Sequence, residues 1–420
     1  MSRRTGWSVA ALLGLMATGS AALGAEIRLT PSFGISEEAN DNIREQAGSG
    51  RSEYITRVQP GAALRYEGGN SLLDASYNLD YRYYARNTRS EEFNHNGSLS
   101  GTFGFWEKFL TLEMKDTYSR VSLDIARDVT QESVLVNQTD QNLASISPYL
   151  TWRLGGKGTL KTGYRYSDAR YWHSAGAIDK RTNSAFADYA YQLSERMTLN
   201  AGYNFSDTDT EASRYKEHDV SGGFRYEYGN NSFLFGSVGN SWLDFSSGQK
   251  ISDMFWDVGA SRDFGLLIAN LETKVQYTED PLTLSTQETT YKGGLEKVLT
   301  RGRVAFNASY SEFKVTLFPE QNRRRLQLTL DGSQELLTGL TGKVFLLGER
   351  LSNQNSNSGE PISNQNARYR LMGTGTLTWT IGDGVTLAGT YSHISYRSEL
   401  DSNSGTIEVN RGILEARKTF

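Results

Sequence analysis

The stretch that decides the fold is RVQPGAALRYEGGNSLLDASYNLDYRYYAR, residues 57–86. On both sides of the glycine turn GGN (68–70), apolar and polar residues alternate with a period of two. In the second half, Leu73 shares one face with alternate residues through Tyr83, and Asp74 lies on the opposite face. Such a period over many positions predicts β-strands with one apolar face and one polar face.

The same alternation recurs along most of the chain. In LLIANLETKVQYT (266–278), for example, Leu271, Val275 and Tyr277 fall on the apolar face. The runs are mostly about 10 to 16 residues long, whereas strands of soluble folds have about 5 or 6, and a tilted membrane strand needs about 9 to 11. No fixed motif repeats as it would in a solenoid. The runs therefore favour strands that cross a membrane.

Short and long connections alternate between these runs. Very short breaks such as GGKG (155–158) and GDG (382–384) alternate with longer polar breaks such as EEANDNIREQAGSGR (37–51) and DPLTLS (280–285). Short periplasmic turns and longer extracellular loops are typical of outer-membrane barrels. The sequence therefore predicts an all-β, single-chain, transmembrane antiparallel β-barrel of about 20 strands (roughly 18–20) in the outer membrane of a Gram-negative bacterium.

The first 25 residues have the composition of a secretory signal peptide. Arg3 and Arg4 precede the apolar run WSVAALLGLMATGSAALGA (7–25), which ends in small residues. A charged start, a short apolar segment and a small-residue cleavage site predict export and removal of residues 1–25. The barrel domain is then expected over residues 26–420.

The chain ends in RGILEARKTF (411–420), with Leu414, Ala416 and Phe420 on one face. This ending resembles the C-terminal signal of bacterial outer-membrane proteins that the barrel assembly machinery recognises. Lys418 departs from the pattern, because that position more often holds an apolar or aromatic residue. We predict that Phe420 is the barrel-assembly signal.

Composition excludes several classes of function. The chain has no cysteine, four histidines that are scattered, and a formal net charge of −4. Disulfides, thiolate metal sites and cysteine catalysis are therefore ruled out, and the charge is not that of a nucleic-acid-binding surface. We expect no cofactor, no bound metal and no nucleic-acid partner.

Two segments resemble a known family, GISEEANDNI (34–43) and YITRVQPGAALRYEGGNSLLDASYNLDYRYYA (54–85). The features are the DN pair before the first loop (41–42), the V-x-P-G opening of the second strand (58–61) and the tyrosine-rich third strand. They resemble the porin-like outer-membrane barrels of exopolysaccharide gene clusters and the PEP-CTERM/exosortase system. The resemblance implies a barrel associated with a secreted polysaccharide.

Charged residues on the polar faces are the candidates for a solute path. If the apolar faces contact lipid, these side chains line the lumen, where both signs of charge suit a polar or anionic solute that is held weakly. Alternatively, they pair across strands and stabilise the wall. The candidates are Arg57, Arg65, Lys161, Arg165, Arg225, Lys274, Arg303, Arg323, Arg325, Asp74, Asp80, Glu113 and Glu272.

The segment NRRRLQLTL (322–330) holds the sharpest basic cluster. Arg323 and Arg325 share a polar face and are expected at the outer mouth, where guanidinium groups can bind acidic sugars in a bidentate manner. Arg324 falls on the apolar face, near lipopolysaccharide phosphates. Alternatively, all three arginines are interfacial anchors.

We expect no enzymatic activity. The one arrangement that suggests catalysis is His393 and Ser395, which share a strand face, with Asn403 beyond them. The pair faintly resembles the His-x-Ser of outer-membrane phospholipase A, in which histidine activates a serine. The surrounding motif of that family is missing.

The sequence therefore predicts a conduit that exports exopolysaccharide without chemistry. Its expected partners are outer-membrane lipid, lipopolysaccharide, the barrel assembly machinery, periplasmic polysaccharide-export proteins, and polysaccharide as the transported solute. Because an open barrel of this width would leak, residues 37–52 and 120–134 are predicted to fold inward. The alternatives are an uptake porin and a non-conducting surface or adhesion barrel.

Overall fold

The computed structural model describes residues 25–48, 50–123, 138–172, 176–211, 213–278, 280–316, 321–353, 368–397 and 406–420. These residues form a single sheet of twenty strands. The strands are β1 (Glu26–Asn40), β2 (Glu53–Gly68), β3 (Ser71–Tyr84), β4 (Glu92–Phe105), β5 (Leu110–Ser122), β6 (Gln138–Leu154), β7 (Gly158–Trp172), β8 (Lys180–Ser194), β9 (Met197–Thr210), β10 (Arg214–Gly229), β11 (Ser232–Phe245), β12 (Lys250–Asp263), β13 (Ile268–Thr278), β14 (Thr286–Leu299), β15 (Gly302–Val315), β16 (Arg323–Leu337), β17 (Leu340–Asn353), β18 (Tyr369–Ile381), β19 (Val385–Arg397) and β20 (Ile407–Thr419). In the ranges given above, no helix is long and apolar enough to cross a membrane.

The sheet closes into a barrel because its first and last strands pair with each other. β1 pairs with β20 from Ser32 opposite Thr419 to Asn40 opposite Arg411. Every other strand pairs antiparallel with its two sequence neighbours. Closure gives the backbone N–H and C=O groups of β1 and β20 hydrogen-bond partners, which lipid cannot provide. The predicted all-β transmembrane barrel is confirmed, and its strand number is 20.

Short turns and long loops lie at opposite ends of the barrel, as predicted. The short turns lie at the same end of the barrel as the start of β1 and Phe420. The first of these turns is residues 69–70 and the last is residues 382–384.

The last of these turns needs a glycine. Gly384 has a φ of +75°, and a Cβ atom there would lie 2.5 Å from the carbonyl oxygen of Thr419. A side chain at this position would therefore push β20 away.

The two faces of the wall follow the alternation of the sequence. In β3, Tyr77 and Tyr83 are exposed on the outside, where the barrel meets lipid. Asp74 lies on the other face, opposite Arg65 of β2. Neighbouring strands keep this phase because paired residues lie on the same face of a sheet. The result is an apolar outer belt around a polar lumen.

Burial of lumen-facing side chains rises toward the extracellular end. Along β1, Arg28 is exposed, Ser32 is partly buried and Glu38 is 0% exposed. The same trend appears in β19, where Thr386 is partly buried and Ile394 is 0% exposed. In the described residues, the lumen-facing side chains are therefore accessible to solvent on the periplasmic side and buried against one another on the extracellular side.

The predicted inward loops are only partly right. Within residues 37–52, the first four belong to β1, but Ile43 does fold inward, where it is 3% exposed and packs against Ile55 and Tyr84. Within residues 120–134, the first three belong to β5, and the segment from 124 onward lies outside the described residues.

One strand departs from its predicted phase. Val275 and Tyr277 of β13 were expected on the lipid face, yet Val275 is 4% exposed. The hydroxyl of Tyr277 donates to Asp253 of β12 at 3.2 Å, and its ring packs on buried residues of the lumen. The ladder between β12 and β13 ends at Lys274, and beyond that point the Tyr277 side chain reaches the lumen-facing Asp253.

Candidate functional site

All of the charged residues proposed for the solute path occupy lumen-facing register positions. Their cross-strand partners are lumen residues as well, for example Ser147 for Glu113 and Asp188 for Lys161. The complete set is Arg57, Arg65, Lys161, Arg165, Arg225, Lys274, Arg303, Arg323, Arg325, Asp74, Asp80, Glu113 and Glu272.

Several of these residues form ion pairs within the wall. Arg57 pairs with Glu38, which is fully buried. Arg303 and Asp331 are 3.2 Å apart, with half of the Arg303 side chain exposed. The other pairs are Arg65 with Glu67 and Asp74, Asp80 with Arg82, Arg225 with Glu227, and Lys274 with Asp257. The pairs of Arg57, Lys274 and Arg303, and that of Arg65 with Asp74, join neighbouring strands and can stabilise the wall, whereas the others lie within one strand.

A second group of lumen cations lies over aromatic rings. Lys161 is 5.2 Å from the ring centre of Tyr149, and Arg165 is 5.2 Å from that of Phe186. Arg225 lies 4.0 Å from the ring centre of Phe233. We call Tyr149, Lys161, Arg165, Phe186, Arg225 and Phe233 the ring patch. Its cations are exposed to the lumen and its rings are half-buried, so both are accessible from the periplasmic side.

The ring patch is held in place by its surroundings. The hydroxyl of Tyr149 donates to Glu113 at 3.0 Å, which fixes the ring beside Lys161. Each cation gains from the electron-rich face of its ring. Sequence reasoning identified the cations and Glu113 but missed the rings. The available signal was an aromatic residue on the polar phase of a strand, as in SAFADY (184–189).

The basic cluster at the outer mouth divides as its alternation predicts. Arg325 faces the lumen and lies 5.4 Å from the ring centre of Phe313, a residue that is 2% exposed. Arg324 lies on the outer face and pairs with Glu312 at 3.2 Å. Arg323 also faces the lumen, where it lies opposite Phe313.

Residues 280–285, which we call the inward loop, are largely buried in the extracellular part of the lumen. The carbonyl oxygen of Asp280 accepts a hydrogen bond from Lys180 Nζ at 3.0 Å, and the carbonyl of Pro281 accepts one from the backbone of Ile178 at 2.8 Å. Both donors lie at the start of β8, five strands away from β13. The loop therefore crosses part of the lumen.

Internal hydrogen bonds make the inward loop compact. Asp280 accepts from the backbone of Leu282 at 3.0 Å and from the Thr286 hydroxyl at 2.9 Å. Thr283 and Thr286 share a further bond of 2.7 Å. Asp280 and Thr283 are each 2% exposed. This organisation is that of a folded plug element rather than a surface loop.

The catalytic arrangement considered from the sequence is engaged in other bonds. His393 and Ser395 lie on the same outer face of β19, as expected. However, the Ser395 hydroxyl accepts from Arg397 Nε at 3.0 Å, and His393 Nδ1 contacts Asn410 at 2.9 Å. Asn403 lies outside the described residues. Within the described ranges, no three His, Asp or Glu side chains are placed to hold a metal ion.

The C-terminal residue is presented on the membrane side. Phe420 is 71% exposed, and its backbone N–H donates to the carbonyl of Pro31 at 2.9 Å. The ring lies 5.8 Å from Lys418 Nζ. The side chain makes little contact with the barrel itself.

Removal of Phe420 should therefore impair assembly more than stability. We expect the variant without Phe420 to show a severalfold lower amount of folded barrel in the outer membrane, measured by heat-modifiable gel mobility. Refolding of the purified chain into detergent should be unchanged, because an exposed ring contributes little to packing. Equal amounts of both proteins in cells would contradict an assembly role, and Lys418→Ala serves as a nearby control.

Sequence comparisons give no relative, whereas structural comparisons give many. No protein-family model and no curated protein matches the chain. The FrpB iron transporter from Neisseria meningitidis (F3-3 variant) matches with a TM-score of 0.54 and 11% identity, over 95% of this chain and 82% of that chain. The copper transporter OprC gives 0.54 and 10%, over 94% and 81%. A mutant ferric enterobactin receptor (PfeA) from Pseudomonas aeruginosa gives 0.52 and 8%, over 94% and 80%.

At these identities the matches bear on the fold alone. Together with the closed sheet and the apolar outer belt, they define the class: the chain is a transmembrane β-barrel of the bacterial outer membrane. Its outer face meets membrane lipid, and its extracellular rim lies at the level of lipopolysaccharide.

Proposed function

We propose that this barrel is a gated conduit that moves a saccharide chain from the periplasm to the cell surface, without catalysis. The observation that carries the proposal is the asymmetry of the lumen. Side chains are accessible on the periplasmic side and buried on the extracellular side. A solute in the periplasm can enter the lumen, and passage to the outside then requires the inward loop to move.

The ring patch supports a saccharide as the solute. Aromatic rings offer apolar faces to the C–H side of a sugar ring, and the exposed Lys161 and Arg165 next to them offer hydrogen bonds and positive charge. Conduction needs binding that is weak and spread over several sites. The mixture of rings, cations and acids along β5–β11 meets that need. The resemblance to barrels of exopolysaccharide clusters favours a secreted polysaccharide, and the cations of the ring patch favour an acidic one.

Uptake of a solute is the second candidate. It is favoured by the matching structures, which are an iron transporter, a copper transporter and a ferric enterobactin receptor. An uptake barrel would bind its ligand on the extracellular side, at the rim formed by the long loops. Export places the first binding step at the ring patch instead.

Deletion of the gene tests the export proposal directly. We expect surface polysaccharide to be mostly lost and polymer to accumulate in the periplasm, with both effects reversed by the parental gene. Both pools are measured by sugar analysis of fractionated cells. Unchanged surface polymer would overturn export and leave uptake as the better proposal.

Complementation with variants links the phenotype to the lumen. The double variant Lys161→Gln, Arg165→Gln removes two of the three cations of the ring patch and should restore only part of the secretion. A matched control is Arg303→Gln, an equally lumen-facing cation that lies outside the patch. Full secretion by the patch variant would show that these cations do not serve the polymer.

A further inference from the structure

The wall of the barrel is incomplete between β12 and β13. Their ladder joins Asp257–Asp263 to Ile268–Lys274 and ends there. Above that point, residues 250–256 of β12 pair only with β11, and residues 275–278 of β13 pair only with β14. We call this opening the lateral gap. It lies in the extracellular half of the barrel, because both strands have their extracellular ends there.

Two unpaired strand edges face each other across the lateral gap. Unpaired backbone groups are costly in lipid, and native proteins usually cover or block such edges. Here the ladders on either side are complete, from Asp244 opposite Lys250 in one and to Thr278 opposite Thr286 in the other. The neighbouring ladders are therefore intact. β4 and β5 also lose their pairing at the extracellular end, above Gly97 and Tyr118, but there Arg120 and Glu92 approach to 3.8 Å across the opening.

The outside of the lateral gap lies at the level of the outer leaflet. Met254 is 60% exposed toward the membrane, and Trp242 is 46% exposed. Trp256 faces the same way, and its Nε1 donates to Thr273 at 3.1 Å at the lower end of the gap. Tryptophans at this height are typical of the aromatic girdle that marks the edge of the hydrocarbon layer.

An apolar cluster lies inside the lateral gap, next to the carboxylates of Glu217, Asp219 and Asp253. Tyr215, Leu243 and Phe245 are each 9% exposed or less and form one cluster. Ile251 and Tyr277, from the two edges of the gap, pack against it. A single polar contact crosses the described gap above Trp256, from the Tyr277 hydroxyl to Asp253 at 3.2 Å. One hydrogen bond is a weak closure compared with a strand ladder.

We propose that the lateral gap admits an acyl chain of an outer-leaflet lipid, which reaches the apolar cluster inside the lumen. An acyl chain fits because it can pack on the apolar cluster inside the gap and because lipid is the medium outside it. The Tyr277 and Asp253 contact acts as the latch, and the inward loop, whose Leu284 carbonyl accepts from Tyr215 at 3.4 Å, lies directly above. This route is independent of the axial movement of a solute.

Photocrosslinking in isolated outer membranes tests the proposal. Benzoylphenylalanine replaces one phenylalanine at a time, and lipid adducts are identified by mass spectrometry. Phe255→benzoylphenylalanine probes the lumen side of the gap. Phe186→benzoylphenylalanine is the matched control, since it also faces the lumen but lies between two complete ladders. Phe224→benzoylphenylalanine faces lipid and serves as the positive control.

We expect lipid adducts at positions 255 and 224 and none at position 186. Continuing the register would place Trp256 opposite Val275, so the pair Trp256→Cys, Val275→Cys should lock the gap by a disulfide. The parental chain has no cysteine to interfere. In the locked barrel, most of the adduct at position 255 should be lost, and a reductant should restore it.

Two outcomes would overturn the proposal. One is the absence of lipid adducts at position 255 while position 224 gives them. The other is an adduct that persists when the disulfide has formed. If the barrel with a probe at position 255 fails to assemble, Ile251→benzoylphenylalanine provides the same test from the same face of β12.

Discussion

Replacing residues 279–285 with Asn-Gly will raise the ion conductance of the reconstituted barrel by about tenfold or more, since conductance depends on the constriction of a pore. The inward loop occupies the extracellular lumen, and its anchors at Lys180 and Ile178 lie across that space. Without it, water and ions have a path past the ring patch to the surface.

The replacement is designed to leave the strands intact. Thr278 and Thr286 are a ladder pair, so a two-residue Asn-Gly connection gives a regular hairpin between β13 and β14. The measurement is single-channel current in planar lipid bilayers, together with the swelling of liposomes in oligosaccharide solutions. In cells, the same variant should increase sensitivity to large antibiotics that the outer membrane normally excludes.

A matched control separates removal of the inward loop from a change in another extracellular loop. Residues 246–249, between β11 and β12, are exposed, and changing Ser246, Ser247 and Gln249 to glycine should leave the conductance unchanged. If the barrel without the inward loop conducts no better than the parental barrel, this loop is not the closing element. The closure must then lie in the side chains packed along the extracellular half of the wall.

The sequence was sufficient for the fold because every strand repeats the same physical requirement. Residues 71–84 must present tyrosine and leucine to lipid and aspartate to water, and this alternation can be counted directly. The short glycine turn at 68–70 indicates the orientation in the same local way. Strand number, topology and the two faces of the wall all follow from such local patterns.

The inward loop could not be predicted, because its burial depends on distant residues. DPLTLS has the composition of any exposed loop, and its partner Lys180 is 100 residues away in the chain. The lateral gap was hidden for the opposite reason. The alternation continues without interruption through Val275 and Tyr277, although the ladder to β12 has already ended. Pattern alone cannot show which strand pairs are incomplete.

The sequence alone indicated the cations of the ring patch but not its rings. Lys161, Arg165 and Arg225 stand out as charges on a polar face, whereas Tyr149 and Phe186 look like irregularities in that face. Only the register shows that each ring lies beside a cation from the next strand. Cross-strand neighbours of this kind depend on the pairing of strands and not on their sequence spacing.

Breaking the ion pair between Glu349 and Arg370 will destabilise the barrel more than any change at an exposed pair. The two side chains are 3.0 Å apart, 1% and 2% exposed, on neighbouring positions of β17 and β18. The adjacent lumen holds an apolar cluster that includes Leu347 and Met372. Arg370→Met leaves the carboxylate of Glu349 buried without its partner, which costs about 3–5 kcal/mol.

The free energy of unfolding is measured by guanidinium titration in phospholipid vesicles, followed by tryptophan fluorescence. The control is Arg65→Met, which breaks contacts to Glu67 and Asp74 where the side chains are about half exposed or more. That change should cost less than about 1 kcal/mol, since water already screens the charges. A loss of similar size in both variants would show that burial does not set the cost.

A double variant, Glu349→Leu with Arg370→Met, decides why the single change is costly. If the cost arises from an unpaired buried charge, removing both charges should recover most of the lost stability, because apolar side chains suit a site beside Leu347 and Met372. If the cost arises from lost packing, the double variant will be at least as unstable as the single one. Recovery would show that the unpaired carboxylate of Glu349 sets the cost of the single change, at a position where Arg370 also lies opposite Tyr396 of β19.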